Sequence, residues 1–150
     1  MSQQQDLVSL YSGRILALAA AIPRIGQLDS PDASVKRRSP LCGSTIRVDL
    51  AVADGRIRDY AQDVKACALG QAAASVVAAN VIGRSLAEIR TARDQLKAML
   101  KDGGPAPDAP FAELGVLLPA RDFKNRHASI MLSLEATLEA FEEAERAACA

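Results

Sequence analysis

The stretch "TIRVDLAVADGRIRDYAQDV", Thr45 to Val64, holds two alternating segments on either side of Asp54-Gly55. In the first, Ile46, Val48, Leu50 and Val52 fall on one face, the period-two pattern of a half-buried strand. In the second, Ile57, Asp59, Ala61 and Asp63 lie opposite Arg56, Arg58, Tyr60 and Gln62. Asp-Gly suits the left-handed backbone of a tight turn, so the two segments read as an antiparallel hairpin.

Working outward, "SVKRRS" (Ser34 to Ser39) predicts a short edge strand whose charges discourage further pairing. Its "VKRR" core is a solvated edge, or a charged surface offered to a protein partner. Further upstream, Leu7, Leu10, Tyr11, Ile15, Leu18 and Ala19 recur at helical spacing between Asp6 and Ile22, and Pro23 ends the pattern. "PRIGQLDSPD" follows as a loop.

Downstream of the hairpin, Ala66 to Gly83 is apolar almost all round, as a buried helix would be. Gly83 supplies a stop, and Ser85 with Glu88 supplies a capping box for a helix from Leu86 to Lys101. That helix places Leu86, Ile89, Ala92, Leu96 and Leu100 on one side. After the loop "DGGPAPDAP", a last helix is predicted from about Arg121 to Ala147. Phe123, Ile130, Leu134, Leu138 and Phe141 turn inward on it, and its far end, "EAFEEAE", is acidic. Strands are grouped rather than alternating with helices. The pattern predicts one α+β domain over residues 1–150, a small three-stranded antiparallel sheet packed against helices.

Eighteen basic and eighteen acidic residues cancel, which removes any general attraction to nucleic acid or an anionic membrane. The absence of Trp argues against base-stacking platforms. No apolar run reaches membrane-spanning length, and "MSQQQDLVSLYSGR" lacks the order of a signal peptide, so a cytoplasmic protein is expected. Three cysteines without framework spacing predict reduced thiols.

Two of those cysteines carry the chemistry, and Cys149, near the C-terminus, is given no role. Cys42 lies in the turn "SPLCG" ahead of the first hairpin strand, and Cys67 opens the buried helix after the second. The hairpin brings both to one end of the sheet. A helix N-terminus favours a thiolate. The spacing is not a CxxC knuckle, and a buried cysteine in an alanine-rich helix is also an ordinary packing residue.

"SPLCGSTIRVDL…GRIRDYAQDVKACALGQAAAS" resembles the NifU/IscU/SufU-type iron–sulfur cluster assembly scaffolds, with a SufE/NifU-like fold. "PRIGQLD" and "RHASIMLSLEATL" add to the likeness, which runs from about Leu10 to Phe141. The resemblance implies that Cys42 and Cys67 match the first two scaffold cysteines. Ser44 stands at the family's aspartate, Ser129 at its third cysteine, and Ala66 at the usual glycine. His127, two positions before Ser129, is a further candidate metal ligand.

The implied cargo is an iron–sulfur cluster or iron, with zinc as an alternative. The implied partners are a cysteine desulfurase and cluster-accepting proteins, with a homodimer as one source of missing thiolates. Two other functions stay open. One is a scaffold fold that has lost cluster assembly and binds zinc or a protein. The other is a thiol enzyme with Cys67 as nucleophile and His127 as base, ranked last because no residue is evident to orient the base. The expectation is a binding protein, not an enzyme.

Overall fold

The computed structural model describes residues 11–40 and 43–148. Three strands, β1 (Ala33–Arg38), β2 (Thr45–Ala53) and β3 (Arg56–Lys65), form one antiparallel sheet in the order β1-β2-β3. Asp54 and Gly55 join β2 to β3 with φ of 54° and 74°, the backbone that the Asp-Gly pair was expected to supply.

The hairpin differs from simple alternation at one point. Val64, Gln62 and Tyr60 stand opposite Ile46, Val48 and Leu50, but Ile57 stands opposite Val52, with a register shift between Ala51 and Val52. The extra residue in β3 is a bulge, and it reverses which face the odd-numbered residues occupy. Ile57 therefore shares the core face with Tyr60 and Gln62, and all three are buried. The alternation that set Ile57 opposite Tyr60 is corrected by this bulge.

Among the described residues, four α-helices pack with the sheet: α1 (Gly13–Ala20), α2 (Ala68–Asn80), α3 (Leu86–Lys101) and α4 (His127–Ala148). α4 lies across β1 and β2, while α2 packs between α1 and α4 and touches β3. α3 covers α4 from the other side. Buried Ile46, Val48, Leu50, Leu69, Val76, Ile89, Leu96, Ile130, Leu134 and Phe141 form the core between these layers. Among the described residues, no helix is long and apolar enough to cross a membrane.

Two helix boundaries depart from the periodicity. α1 begins at Gly13, where the Ser12 side chain accepts the Ile15 N–H, and it stops before Pro23. The earlier part of the expected helix falls partly outside the described residues. The last α-helix starts at His127 instead of Arg121. Residues Ala112–Asp122 and Lys124–Arg126 are 3-10 helices, separated by Phe123 with a ψ of 75°.

The capping box at α3 is present in both directions, Ser85 Oγ accepting from Glu88 N–H and the Glu88 carboxylate from Ser85 N–H. These bonds hold the Glu88 carboxyl below its ordinary pKa, the backbone bond from Ser85 being the largest cause. Ser85→Ala is expected to cost about 1 kcal/mol in urea unfolding, with the fold retained.

Tyr60 sits under α4, its hydroxyl 2.9 Å from Thr137 Oγ1. Thr137 spends its own proton on the Ser133 carbonyl at 2.7 Å, so Tyr60 is the donor. Burial pushes the phenol well above its ordinary range. The unfolded chain releases this proton near pH 10 while the folded chain keeps it. That contribution to stability is complete below pH 10 and is lost as pH rises, by about 1.4 kcal/mol per unit. Urea unfolding at pH 9.5 and pH 11 is expected to show this slope, and Tyr60→Phe to flatten it.

Candidate metal centre

The start of β2 and the end of β3 lie at the same end of the sheet, with Thr45 opposite Lys65. Just beyond β3, Cys67 is the N-cap of α2, with extended backbone (φ −66°, ψ 169°) and no side-chain bond to the helix. Its Sγ is free to turn toward α4. There it meets Ser129, the third residue of α4, at an Sγ–Oγ distance of 3.5 Å. Ser44, one residue ahead of β2, closes the group: its Oγ lies 3.1 Å from Ser129 Oγ. Cys67 is partly buried, whereas Ser44 and Ser129 are buried. Three elements thus deliver three chemistry-bearing side chains to one point.

Gly70 makes that approach possible. A Cβ at this position would stand 2.5 Å from Ser129 Oγ and 2.9 Å from the Ala66 Cβ. The first turn of α2 is bare where the start of α4 comes nearest. The sequence reading passed over Gly70, yet a glycine inside an otherwise alanine-rich helix is the available signal of a close contact.

The loop before Ser44 is closed by backbone bonds. Ser39 N–H donates to the Ser44 carbonyl at 2.7 Å, and Gly43 N–H donates to the Ser39 carbonyl at 2.9 Å. Gly43 has a φ of 72°, a conformation that favours glycine. Cys42 lies outside the described residues, two positions before Ser44 in the chain.

His127 is not brought to this group. Its Nε2 lies 3.0 Å from the carbonyl oxygens of both Ala120 and Arg121, so Nε2 carries the proton and donates. The ring is buried and lines a cavity of about 450 Å³ with Leu100, Lys101, Arg121, Asp122 and Lys124. Two positions on a helix are about 200° apart, so Ser129 facing Cys67 turns His127 elsewhere. The described bonds give His127 a structural task, closing the end of the 3-10 segment.

Among the described residues, no group of three or more His, Cys, Asp or Glu side chains could hold a metal ion. Cys67 is the one soft donor described in the group, and the two serine hydroxyls are hydrogen-bonded to each other. Serine oxygen is hard and deprotonates reluctantly, whereas iron–sulfur clusters take mostly thiolates.

A family model described as the NifU-like N terminal domain matches residues 10–117. The chain belongs to this NifU-like family. The N-terminal part of a nitrogen-fixing NifU-like protein from Brucella abortus is 47% identical, with a TM-score of 0.92. That match covers 94% of this chain and 98% of the other. An iron–sulfur cluster assembly scaffold protein for the SUF system, from Fervidobacterium islandicum, has a TM-score of 0.78 over 89% of this chain and 98% of the other. At 17% identity, it shares the fold alone. A further crystal structure, of a hypothetical protein, is 25% identical with a TM-score of 0.77, covering 90% of this chain and 98% of that one. A comparison with curated protein sequences returns no match. The NifU-like fold accounts for the small antiparallel sheet and the helices packed on it.

Proposed function

We propose that this NifU-like domain is a scaffold or carrier that holds an iron–sulfur cluster, or iron, for transfer to other proteins. In this reading Cys42 and Cys67 are the protein thiolates, and the remaining ligands come from outside the chain. The observation that carries the reading is the convergence of Ser44, Cys67 and Ser129 at the sheet end. In this reading the group marks a binding position with few soft donors. Cargo is held and passed on, and no bond of an organic substrate is broken, so the role is binding and not catalysis.

The serines define what such a site does. Two buried hydroxyls bonded to each other offer polarity beside the thiol without competing strongly for iron. Cargo held by few protein thiolates leaves by ligand exchange more readily than cargo enclosed by four. A cysteine desulfurase as sulfur source and cluster-accepting proteins as recipients are the partners this role requires. A cytoplasmic setting, where thiols stay reduced, suits it. Zinc, which accepts thiolate with water in an open position, is the competing cargo.

Anaerobic reconstitution with iron and sulfide tests the reading. The expected product has a visible cluster spectrum and acid-labile sulfide in step with iron, and both fall to background in Cys42→Ser and Cys67→Ser. Zinc retained in their place, with no labile sulfide, would favour the zinc-binding alternative. No metal above a Cys42→Ser/Cys67→Ser control would end both metal readings.

A further inference from the structure

The two edges of the sheet are finished differently. Beyond β3, the chain ahead of β1 lies against the strand: Gly26 N–H donates to the Gln62 carbonyl, and Gln62 N–H to the Arg24 carbonyl, each at 2.9 Å. β1 has no such cover. Ser39 N–H donates to the Ser44 carbonyl at 2.7 Å, which fixes the alternation of the ladder. Ala33, Val35 and Arg37 therefore turn their backbone groups to β2, opposite Leu50, Val48 and Ile46. Ser34, Lys36 and Arg38 turn theirs away from the sheet. Among the described residues, no hydrogen bond reaches those outward backbone groups.

The charges follow the same alternation. Lys36 and Arg38 are exposed, and among the described residues neither has an ion pair. Arg37, between them, points to the other face and pairs with Glu139 of α4 at 2.7 Å. Lys65, in the cross-strand row Arg38, Thr45 and Lys65, adds a further exposed cation. Asp63 is two strands away from β1 and lies 4.0 Å from Arg47. Open backbone and unpaired cations thus coincide at Lys36 and Arg38, in a strand without proline. A charged edge ordinarily bars pairing, and this one bars a second copy of β1. Two copies side by side would set these cations against each other, and like charges directly opposite are destabilising. A strand of opposite charge meets no such bar.

We propose that β1 receives an extended acidic segment of a partner protein as a further strand of the sheet. The incoming backbone bonds to Ser34, Lys36 and Arg38, and acidic side chains at alternate positions meet Lys36 and Arg38 on the outward face. Positions two apart rise about 6.8 Å along both strands, so the acids and the cations keep step. The residues between them face α4, beside Val35 and the Arg37–Glu139 pair, where charge is already balanced. Backbone bonds supply affinity, and the spacing of the acids supplies specificity. Of the two readings of "VKRR", a solvated edge and a surface for a protein partner, this is the second. The inference stands on the strand edge and its charges, whatever cargo the group at Cys67 holds.

The test uses metal-free protein at low ionic strength and a capped heptapeptide alternating Glu and Thr. At saturation, amide hydrogen exchange at Lys36 and Arg38 is expected to slow by about tenfold or more, with little change at Val35, already bonded to β2. A peptide alternating Lys and Thr should not bind. Lys36→Glu/Arg38→Glu, at exposed positions without described ion pairs, should weaken binding of the Glu peptide about tenfold and admit the Lys peptide. Backbone N-methylation separates an added strand from a charged patch, because it leaves the peptide's charge unchanged. Methylating one alternate set of its amides should abolish binding, and methylating the other set should preserve it.

Equal binding of the Lys peptide, unchanged affinity in the charge-reversed variant, or tolerance of both N-methylated peptides would overturn the proposal. Protection of the Lys36 and Arg38 amides that appears without peptide, and grows with protein concentration, would give the edge to a second copy and overturn the acidic partner. No metal enters these measurements, so the carrier reading stands or falls by its own assay.

Discussion

In Ser129→Cys, reconstituted cluster is expected to survive a chelator roughly tenfold longer than in the unaltered chain. Ser129 Oγ already lies 3.5 Å from Cys67 Sγ, so the substitution places a second soft donor beside the first without moving a helix. The site is buried, and sulfur is larger than oxygen, so a small packing cost accompanies the gain. The decay of visible absorbance after adding the chelator measures the effect. An unchanged decay in a variant with native unfolding behaviour would remove position 129 from the ligand set. It would leave Ser129 a packing residue that holds Ser44.

Gly70→Ala is expected to destabilise the fold by about 1–3 kcal/mol, although glycine in a helix interior is ordinarily the weaker residue. Helix propensity favours alanine by about 1 kcal/mol, and sterics oppose it. A new Cβ 2.5 Å from Ser129 Oγ and 3.1 Å from the Ser129 carbonyl oxygen cannot be absorbed by turning one rotamer, because the carbonyl belongs to the backbone. α2 and α4 must part, and the Cys67–Ser129 contact opens with them. Urea unfolding gives the sign directly. A stabilised Gly70→Ala would show that the helices separate at little cost. The same variant should load less cluster, since the helix carrying Ser129 shifts away from the thiol.

The hairpin was legible because Ile46, Val48 and Leu50 alternate without interruption and Asp54-Gly55 leaves one choice of turn. Its bulge was not. The extra residue falls where Arg58 and Asp59 stand together, both polar, and two adjacent polar residues give periodicity no mark of which one is inserted. The capping box at Ser85 and Glu88 was readable because both partners are local. The 3-10 segments ahead of α4 were missed because the apolar residues there fit no 3.6-residue repeat, and Pro119 lies among them.

The site was legible only in part. Local chemistry singled out Cys67, since a cysteine at the start of a buried helix is visible in one dimension. Ser44 and Ser129 are 85 residues apart, and nothing in composition or spacing links them. They entered through the family resemblance alone. His127 was named because it is the one histidine of the chain and lies two positions before Ser129. Helix geometry turns it to the carbonyls of Ala120 and Arg121, a direction set by where α4 begins.

The balanced charge of this chain is locally uneven. At the Cys67 end of the sheet, Lys36, Arg38 and Lys65 are exposed, and none has an ion pair among the described residues. At the other end of the sheet and α4, Asp32, Asp54 and Glu145 gather around one hollow. Patches of opposite sign bias how a charged partner approaches before contact. An acidic partner would therefore be drawn to the basic patch, and a basic one to the acidic hollow. At physiological ionic strength this orienting field reaches only about 8 Å. Salt should then slow productive encounters while leaving the settled complex less affected.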